Sequence, residues 1–242
     1  MLQLKDIHWE LPSGEELIHG ISFSIEPGKL TVVTGPNGGG KTSIAKLIAG
    51  LNVPSKGQII LNGQDITNTS ITERAKLGIS YAFQQPVKFK GLTVMQLINI
   101  AAGRELPKDK LCSLLGKVGL CANEYINRPM DSHLSGGEIK RIEIATVLAR
   151  ESSVLVFDEP EAGIDLWSFT SLIDTFKTLK DEQSGALLVI SHQERILEIA
   201  DTIIVLAGGN VRLEGSSAEI MPKLMTNEYI KSCRQFGSKE VK

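Results

Sequence analysis

Residues 31–50, TVVTGPNGGGKTSIAKLIAG, join a short apolar strand pattern to a glycine-rich loop and then to a helical pattern. Within them, GPNGGGKT at 35–42 satisfies the phosphate-loop pattern G-x-x-x-x-G-K-[ST]. In such a loop the backbone N–H groups surround the phosphates, Lys41 reaches the β and γ oxygens, and the Thr42 hydroxyl can ligate Mg²⁺. A glycine-rich turn also arises by chance, but the strand before it and the helix after it favour nucleotide binding. The predicted nucleotide-binding residues of this loop are Gly35, Pro36, Asn37, Gly38, Gly39, Gly40, Lys41, Thr42 and Ser43.

A second apolar run ends in two acidic residues. VLVFDE at 154–159 predicts a buried strand with Asp158 at its carboxyl end and Glu159 directly after it. Strands often end in acids, so this pair alone would mean little. Together with a phosphate loop, Asp158 is placed to hold Mg²⁺ through water, and Glu159 is placed to polarise the attacking water as a general base.

Two further strand ends supply a histidine and a glutamine. LVISH ends at His192, whose imidazole is predicted to contact the γ-phosphate and orient the water. A single His at a strand end is usually structural, but its position after the acid-bearing strand favours the catalytic interpretation. YAFQQP closes another strand, where Gln84 is the preferred ligand for Mg²⁺ or water and Gln85 is the competing candidate. The predicted catalytic residues are therefore Glu159, His192, Gln84 and Lys41, and the predicted metal ligands are Thr42, Gln84 and Asp158.

The stretch HLSGGEIKR at 133–141 has the pattern of a second phosphate-binding helix start. Ser135 is a suitable N-cap, and Gly136 and Gly137 would allow a phosphate to approach the backbone N–H groups closely. Taken alone, the same pattern is more often a plain capped helix start. Its meaning therefore depends on the other motifs.

The composition limits the classes of partner. The chain has 242 residues, enough for one domain or for one domain with a subdomain. Its 26 Lys plus Arg against 28 Asp plus Glu give no indication of nucleic-acid or anionic-membrane binding. No apolar window of about 18 residues and no signal-peptide pattern is present, so no membrane insertion is predicted. Cys112, Cys121 and Cys233 form no CxxC pair and are predicted to be small buried hydrophobes with reduced thiols.

The hydrophobic patterns predict an α/β fold. Alternation before about residue 30, broken by PSGEE, predicts antiparallel strands. Continuous apolar runs at 154–157 and 187–190 suit strands covered on both faces, and hence a mainly parallel sheet. Segments between 88 and 150 are helix-like. After residue 200, TIIVLAGGNVRLEG predicts a hairpin, followed by a polar tail.

Taken in order, GPNGGGKT, AFQQP, LSGGE, VLVFDEP, EAGID and ISH resemble the motif series of an ATP-binding cassette (ABC) ATPase. The resemblance covers essentially the whole chain, and the LSGG signature separates this family from kinases and GTPases that share the phosphate loop. It implies ATP and Mg²⁺ as ligands and hydrolysis of ATP to ADP and phosphate. It also implies a P-loop NTPase (RecA-like) fold, with a mainly parallel sheet, an N-terminal antiparallel β subdomain and an inserted helical subdomain.

The resemblance further implies a domain organisation and a dimer. Residues 1–242 would form a single cassette, with an α/β nucleotide-binding core over 1–87 and 151–242 and a helical insertion over 88–150 that carries the signature. Two chains would pair head to tail, with each ATP between the phosphate loop of one and the signature of the other. This would account for two phosphate-binding loops in one chain, because they serve different ATP molecules. The residues implied to complete the site are Ser135, Gly136, Gly137, Glu138 and Asp165.

The chain departs from the family pattern at three places. The last residue of the signature is Glu138, where Gln is usual. Ala162 and Gly163 occupy positions where a Ser-Ala pair is common. The aromatic that stacks on adenine is expected near Leu11, which is aliphatic, while strand alternation places nearby Trp9 toward the other face.

Three stretches, FQQPVKFKGLTV, SGGEIKR and SHQERIL, are similar to the SufC branch, the soluble ATPase of iron–sulfur cluster assembly. The loop DEPEAGID differs from the acid- and Ser-rich loop of that branch. This resemblance predicts a SufB/SufD-like scaffold protein as partner, bound near Gln84 to Leu92 and the following helices. The protein would then be cytoplasmic.

The alternative is the ATP-binding subunit of a membrane transporter. In that case the same surface would receive coupling helices from a membrane permease, and the protein would lie peripherally at the membrane. The catalytic residues do not distinguish the two hypotheses, since the motor chemistry is the same. A DNA-repair or translation ATPase is not favoured, because the chain has no second cassette, long coiled coil or basic face.

Overall fold

Two β-sheets lie on either side of the helix that follows the glycine-rich loop. A computed structural model describes residues 1–85, 87, 89–131, 133–182 and 185–226. Ile44 of this helix packs in one apolar cluster with Ile7 and Ile59 of the first sheet and with Val33 and Val156 of the second. The loop is thereby fixed between two rigid layers.

The first sheet is antiparallel throughout. Its strand order is β2-β1-β4-β5, with β1 paired to β2 on one side and to β4 on the other. The first four residues of the break PSGEE, Pro12 to Glu15, lie in the connection between β1 and β2, as predicted. The strands are β1 (Leu2–Glu10), β2 (Glu16–Ile25), β4 (Lys56–Leu61) and β5 (Gln64–Asp65).

The second sheet is mainly parallel, with strand order β10-β9-β3-β8-β7-β6. Only β10 runs antiparallel, and it forms the predicted hairpin with β9. The α/β fold with one mainly parallel and one antiparallel sheet is therefore confirmed. The strands are β3 (Leu30–Thr34), β6 (Ile79–Ala82), β7 (Val154–Asp158), β8 (Ala186–Ile190), β9 (Thr202–Ala207) and β10 (Asn210–Gly215).

Alternate residues of β7 enter two different apolar clusters. Leu155 and Phe157 pack toward the helices that follow β6, whereas Val154 and Val156 pack toward the first sheet. Burial on both faces is why this strand has a continuous apolar run instead of an alternating one. It also places the acids at its end inside the molecule.

Helices make up all of the regular structure between β6 and β7 in the described part of the chain. They share an apolar cluster with the outer face of the second sheet. We retain the division into a core and a helical insertion over 88–150 as a proposal. The helices are α1 (Lys41–Ala49), α2 (Ile71–Lys76), α3 (Val94–Ala102), α4 (Lys108–Lys117), α5 (Ala122–Tyr125), α6 (Gly136–Ala149), α7 (Leu166–Glu182), α8 (Glu194–Glu198) and α9 (Ser217–Met225).

Some sequence predictions were wrong. The polar tail expected after the hairpin is, up to Met225, the helix α9, which has a capping box at Ser216 and buries Ile220. Cys121 is exposed and Cys112 is half-buried, so neither is a fully buried hydrophobe. Cys233 lies outside the described residues, as do Pro86 and Lys88 of the predicted partner surface.

Among the described residues, no helix combines the length and the apolar character needed to cross a bilayer.

Arg74 holds the far end of α1 from within the core. Its side chain is fully buried, and its guanidinium donates to the carbonyls of Leu47 and Ile48, in the last turn of α1, and to that of Thr67. Carbonyls at a helix C-terminus lack partners within the helix, and a cation there also complements the helix dipole. Arg74 therefore satisfies several buried acceptors at once.

We expect Arg74→Met to lower the free energy of unfolding by about 3 kcal/mol or more, because several buried carbonyls would lose their donor. Urea denaturation measures this directly. The control is Arg104→Met, because Arg104 is exposed and its ion-pair partner in the described part of the chain, Glu151, is exposed as well. It should cost no more than about 0.5 kcal/mol. Equal effects of the two substitutions would contradict this role for Arg74.

Candidate nucleotide-binding site

The glycine-rich loop runs from the end of β3 to the start of α1. Gly35 has φ +133°, and a Cβ there would lie 1.9 Å from the carbonyl oxygen of Leu206, so a side chain would not fit. Gly40 is the N-cap of α1 and makes no side-chain cap hydrogen bond. The first-turn N–H groups of α1 are therefore not occupied by a cap side chain. They form an anion site of the kind that binds phosphate.

Lys41 is folded back over this loop. Its Nζ donates to the carbonyls of Gly35 at 2.8 Å and Pro36 at 2.9 Å. Burial lowers the pKa of Lys41, while the charges of Glu159 and Asp158 act in the opposite direction. The ammonium is thus held at the loop by weak acceptors that a phosphate oxygen can replace.

Asp158 ends β7 with both carboxylate oxygens hydrogen-bonded. The Thr42 hydroxyl donates to Oδ1 at 3.2 Å and the Tyr81 hydroxyl donates to Oδ2 at 3.0 Å. Burial raises the pKa of Asp158, and these two hydrogen bonds oppose that shift. A hydroxyl and a carboxylate side by side are oxygen ligands of the kind that Mg²⁺ prefers. Tyr81 was not among the predicted site residues.

Glu159 has an unusual backbone conformation. Its φ is +46°, in the left-handed region, which costs a non-glycine residue roughly 1 kcal/mol or more. Its Oε2 accepts a hydrogen bond from the Gln84 side-chain amide at 2.7 Å, and its Oε1 lies 4.0 Å from Nε2 of His192. The structure thus brings Gln84 and His192, which follow two other strands, to the carboxylate of Glu159.

Burial lowers the pKa of His192, and the charge of Lys41 lowers it further. Glu159 opposes both effects but does not reverse them. The imidazole is therefore more neutral at pH 7 than that of a free histidine. A neutral ring can accept one hydrogen bond and donate another, as the predicted role in orienting water requires.

A cavity of about 290 Å³ lies between the loop and these side chains. Gln84 lines this cavity, whereas Gln85 does not. Leu17, from β2, also lines it and was missed by the sequence analysis, since nothing in the alternating pattern of β2 marks that residue. Trp9 instead packs against the apolar cluster between the sheets. The cavity is lined by Leu17, Asn37, Gly38, Gly40, Lys41, Thr42, Ser43, Gln84 and Glu159.

The second glycine motif starts α6. The Ser135 side chain caps the helix by accepting from the N–H of Glu138, whose carboxylate in turn accepts from the N–H of Ser135 at 2.6 Å. A Cβ on Gly137 would lie 2.8 Å from the carbonyl oxygen of Gly163. Neither these residues nor Gly136 lines the cavity formed by the described part of the phosphate loop. The two glycine motifs of one chain therefore do not line the same cavity.

Glu138 and Asp165 have local structural partners. Glu138 also accepts from the hydroxyl of Tyr125 and pairs with Arg128 at 3.6 Å. Asp165 accepts from the N–H groups of Trp167 and Ser168 and from the Ser168 hydroxyl at the start of α7. Both contacts stabilise helix starts, which explains an acid at each position without a ligand.

Comparison with known proteins gives a consistent result. The ABC transporter family model matches residues 18–162. The chain is 34% identical over 241 residues to the uncharacterized ABC transporter ATP-binding protein MJ0035 of Methanocaldococcus jannaschii, covering 96% of this chain and 94% of that protein. It is 36% identical over 228 residues to the sulfate/thiosulfate import ATP-binding protein CysA of Synechocystis, covering 90% of this chain and 57% of that protein.

Solved structures share the fold. The ATP-binding cassette MJ0796, described as a dimer in a post-hydrolysis state bound to ADP and Pi, superposes with a TM-score of 0.81 at 22% identity. The match covers 90% of this chain and 99% of that one. A bacterial Atm1-family ABC exporter with ATP bound gives a TM-score of 0.82 at 22% identity, covering 98% of this chain and 42% of that one.

Two substitutions should separate binding from hydrolysis. We expect Lys41→Ala to abolish nucleotide binding or hydrolysis, because among the described residues Lys41 is the cationic side chain that lines the cavity. Glu159→Gln should retain ATP binding within about threefold but reduce hydrolysis by at least about 100-fold, because an amide is not a base. Calorimetric titration with ATP and a phosphate-release assay measure these effects. Full hydrolysis by Glu159→Gln would remove Glu159 from the catalytic role.

The pKa of His192 is expected to lie below 6.5, so that the ring is mainly neutral at pH 7. NMR titration of labelled histidine measures it, with His192→Gln assigning the resonance. Lys41→Met should raise this pKa, because it removes a nearby positive charge that disfavours the imidazolium form. A pKa at or above 6.5, or a decrease in the Lys41→Met variant, would contradict the electrostatics described above.

Proposed function

The chain belongs to the ABC transporter family, and we propose on that basis that it is the ATP-binding subunit of a membrane transporter. It binds ATP, with Mg²⁺ as the usual ion, and hydrolyses ATP to ADP and phosphate. This hydrolysis drives the movement of a membrane partner. The chain lies peripherally at the membrane, held there by that partner.

We assign the residues of the site as follows. Lys41 and the N–H groups of the loop hold the β- and γ-phosphates, and Thr42, Asp158 and Gln84 are the residues that would hold Mg²⁺. The bound ion would neutralise charge developing on the phosphate oxygens. Glu159 takes the proton of the attacking water, and His192 orients that water through its neutral ring. Gln84 holds Glu159 in position through a hydrogen bond of 2.7 Å.

The second glycine motif completes the site of another copy of the chain. The separation of the signature from the cavity supports this, since Ser135, Gly136 and Gly137 do not line the cavity beside the chain's own phosphate loop. In a two-fold dimer, each signature would meet the phosphate loop of its partner. ATP would then join the two copies, and hydrolysis would let them separate.

The structure has an apolar cleft beside Gln84. This cleft supports the proposal that a partner protein is moved when the two copies join and separate. The cleft has a volume of about 330 Å³ and lies between the second sheet and helices α2, α3 and α6. Ile100 is 64% exposed at its rim, and Phe89 and Ile71 are also exposed, although all three are large and apolar. An amphipathic helix from a permease would bury them. The apolar side chains lining the cleft include Ile71, Phe83, Phe89, Leu97, Ile100 and Val147.

A SufC-like ATPase with a SufB/SufD-like scaffold as partner is the second candidate. Three sequence features favour it: Glu138 in the stretch SGGEIKR, the run SHQERIL that begins at Ser191, and the stretch FQQPVKFKGLTV. The hydrogen bonds of Glu138 with Ser135 and Tyr125 weaken the first feature, because they give a local reason for an acid there. The named relatives are transport ATPases, which favours the permease.

Recovery of the partner distinguishes the two candidates. Tagged chain should recover an integral membrane permease from the detergent-extracted membrane fraction. Ile100→Glu should reduce that recovery by about tenfold or more, because a charge would be buried in the contact. Val53→Glu is the matched control, since Val53 is 55% exposed and does not line the cleft.

Recovery of only a soluble scaffold protein would overturn the transporter proposal in favour of the second candidate. Equal loss of partner in Ile100→Glu and Val53→Glu would show that the cleft is not the docking site.

A further inference from the structure

Two buried charged residues on α6 were not predicted to have any function. The Lys140 side chain is fully buried and that of Glu143 is 12% exposed. They lie three residues apart on one face of the helix, with Lys140 Nζ 3.3 Å from Glu143 Oε2. Because charged side chains are rarely buried, this pair requires an explanation.

The pair contacts the backbone that carries Gln84. Oε1 of Glu143 accepts from the N–H of Phe83 at 3.0 Å, and Nζ of Lys140 donates to the carbonyl oxygen of Phe83. The same ammonium lies 3.4 Å from the carbonyl oxygen of Gln84. Both backbone hydrogen-bonding groups of Phe83 are therefore bound by side chains of α6, directly before the residue whose amide reaches Glu159.

The energetics argue against a role in packing alone. Burying an ammonium and a carboxylate is costly even when they pair, and apolar side chains of similar size would often fill the space at lower cost. Apart from its ion pair with Lys140, Oε2 of Glu143 accepts no hydrogen bond from the described residues, so only that pair compensates its burial. The two charged side chains provide a fixed donor and a fixed acceptor for one peptide segment. Apolar side chains would provide neither.

We propose that Lys140 and Glu143 are positioning residues that fix the backbone of Phe83 and Gln84 and thereby direct the Gln84 amide toward Glu159. The path is continuous, from the signature at the start of α6, through the buried pair, to the catalytic carboxylate. A shift of α6 would move Gln84 with it. The inference rests on ATP hydrolysis at the candidate site and not on which partner the chain moves.

Single-turnover hydrolysis with the full chain in excess over ATP tests the proposal. The variants are Lys140→Met, which removes the donor, and the double variant Lys140→Met/Glu143→Gln, which also removes the unpaired buried charge. Thr175→Val is the control for loss of a buried hydrogen bond elsewhere, since buried Thr175 donates to the carbonyls of Lys117 and Ser171. ATP affinity and urea unfolding are measured for each variant.

Lys140→Met should lose stability and lower the hydrolysis rate about tenfold or more, with ATP affinity changed less than about twofold, because only the geometry at Glu159 is altered. The double variant should regain stability, since no lone charge remains buried. Its rate should stay low, since the carbonyls of Phe83 and Gln84 still lack their donor. Thr175→Val should lose stability but keep the wild-type rate. If Lys140→Met does not fold, the hydrolysis rate of the double variant alone tests the proposal.

A double variant that regains both stability and rate would reduce the pair to a packing role and overturn the proposal. A rate loss in Thr175→Val as large as that in the double variant would do the same. Glu159→Gln serves as the reference for no hydrolysis. If it hydrolyses ATP at the wild-type rate, the site assignment itself is wrong, a result distinguishable from failure of the positioning proposal alone.

Discussion

The parallel pairing of β3, β8 and β7 is the constraint on which the site depends. Val33 pairs in register with Ile190, and Ile190 pairs with Asp158, so three strands end at the same edge of the sheet. The phosphate loop, the acids and His192 follow these three ends. Residues more than 100 positions apart in sequence, such as Lys41 and Glu159, thus meet at one edge of the sheet. The first sheet and Arg74 support this arrangement by holding α1, which leaves the edge of the sheet free for the nucleotide.

The parts of the site that a short motif encodes were predictable from the sequence. The phosphate loop, Asp158, Glu159 and His192 each follow an apolar strand, and strand ends in a parallel sheet converge. The structural roles of four other residues were not predictable in the same way: Tyr81, Leu17, Lys140 and Arg74. Each contacts residues distant in sequence, and Lys140 and Glu143 belong to a run, EIKRIE, whose charges predict an exposed face. Only the tertiary fold buries them. The strands β4 and β5 were missed because their segment carries no motif.

The two glycine motifs have different geometric requirements. The phosphate loop is enclosed by its own chain, and Gly35 is needed because the backbone of Leu206 lies against it. At the start of α6, by contrast, a Cβ on Gly136 would meet no atom within 4 Å. Small size at that position is therefore not demanded by the fold. A residue without a side chain at this position is explained if another molecule approaches the helix start. We propose that this molecule is ATP held by a second copy.

Mixing two inactive chains tests this composite site most directly. Lys41→Ala keeps an intact signature, and Gly136→Asp keeps an intact phosphate loop while placing a carboxylate where the phosphate would approach. Each alone should show no ATP hydrolysis. In a 1:1 mixture, half of the dimers would carry one intact site each, so hydrolysis should return to about a quarter of the wild-type rate if the sites act independently. A mixture as inactive as its components, in which gel filtration nevertheless shows dimers, would contradict the claim that each ATP is shared between two chains.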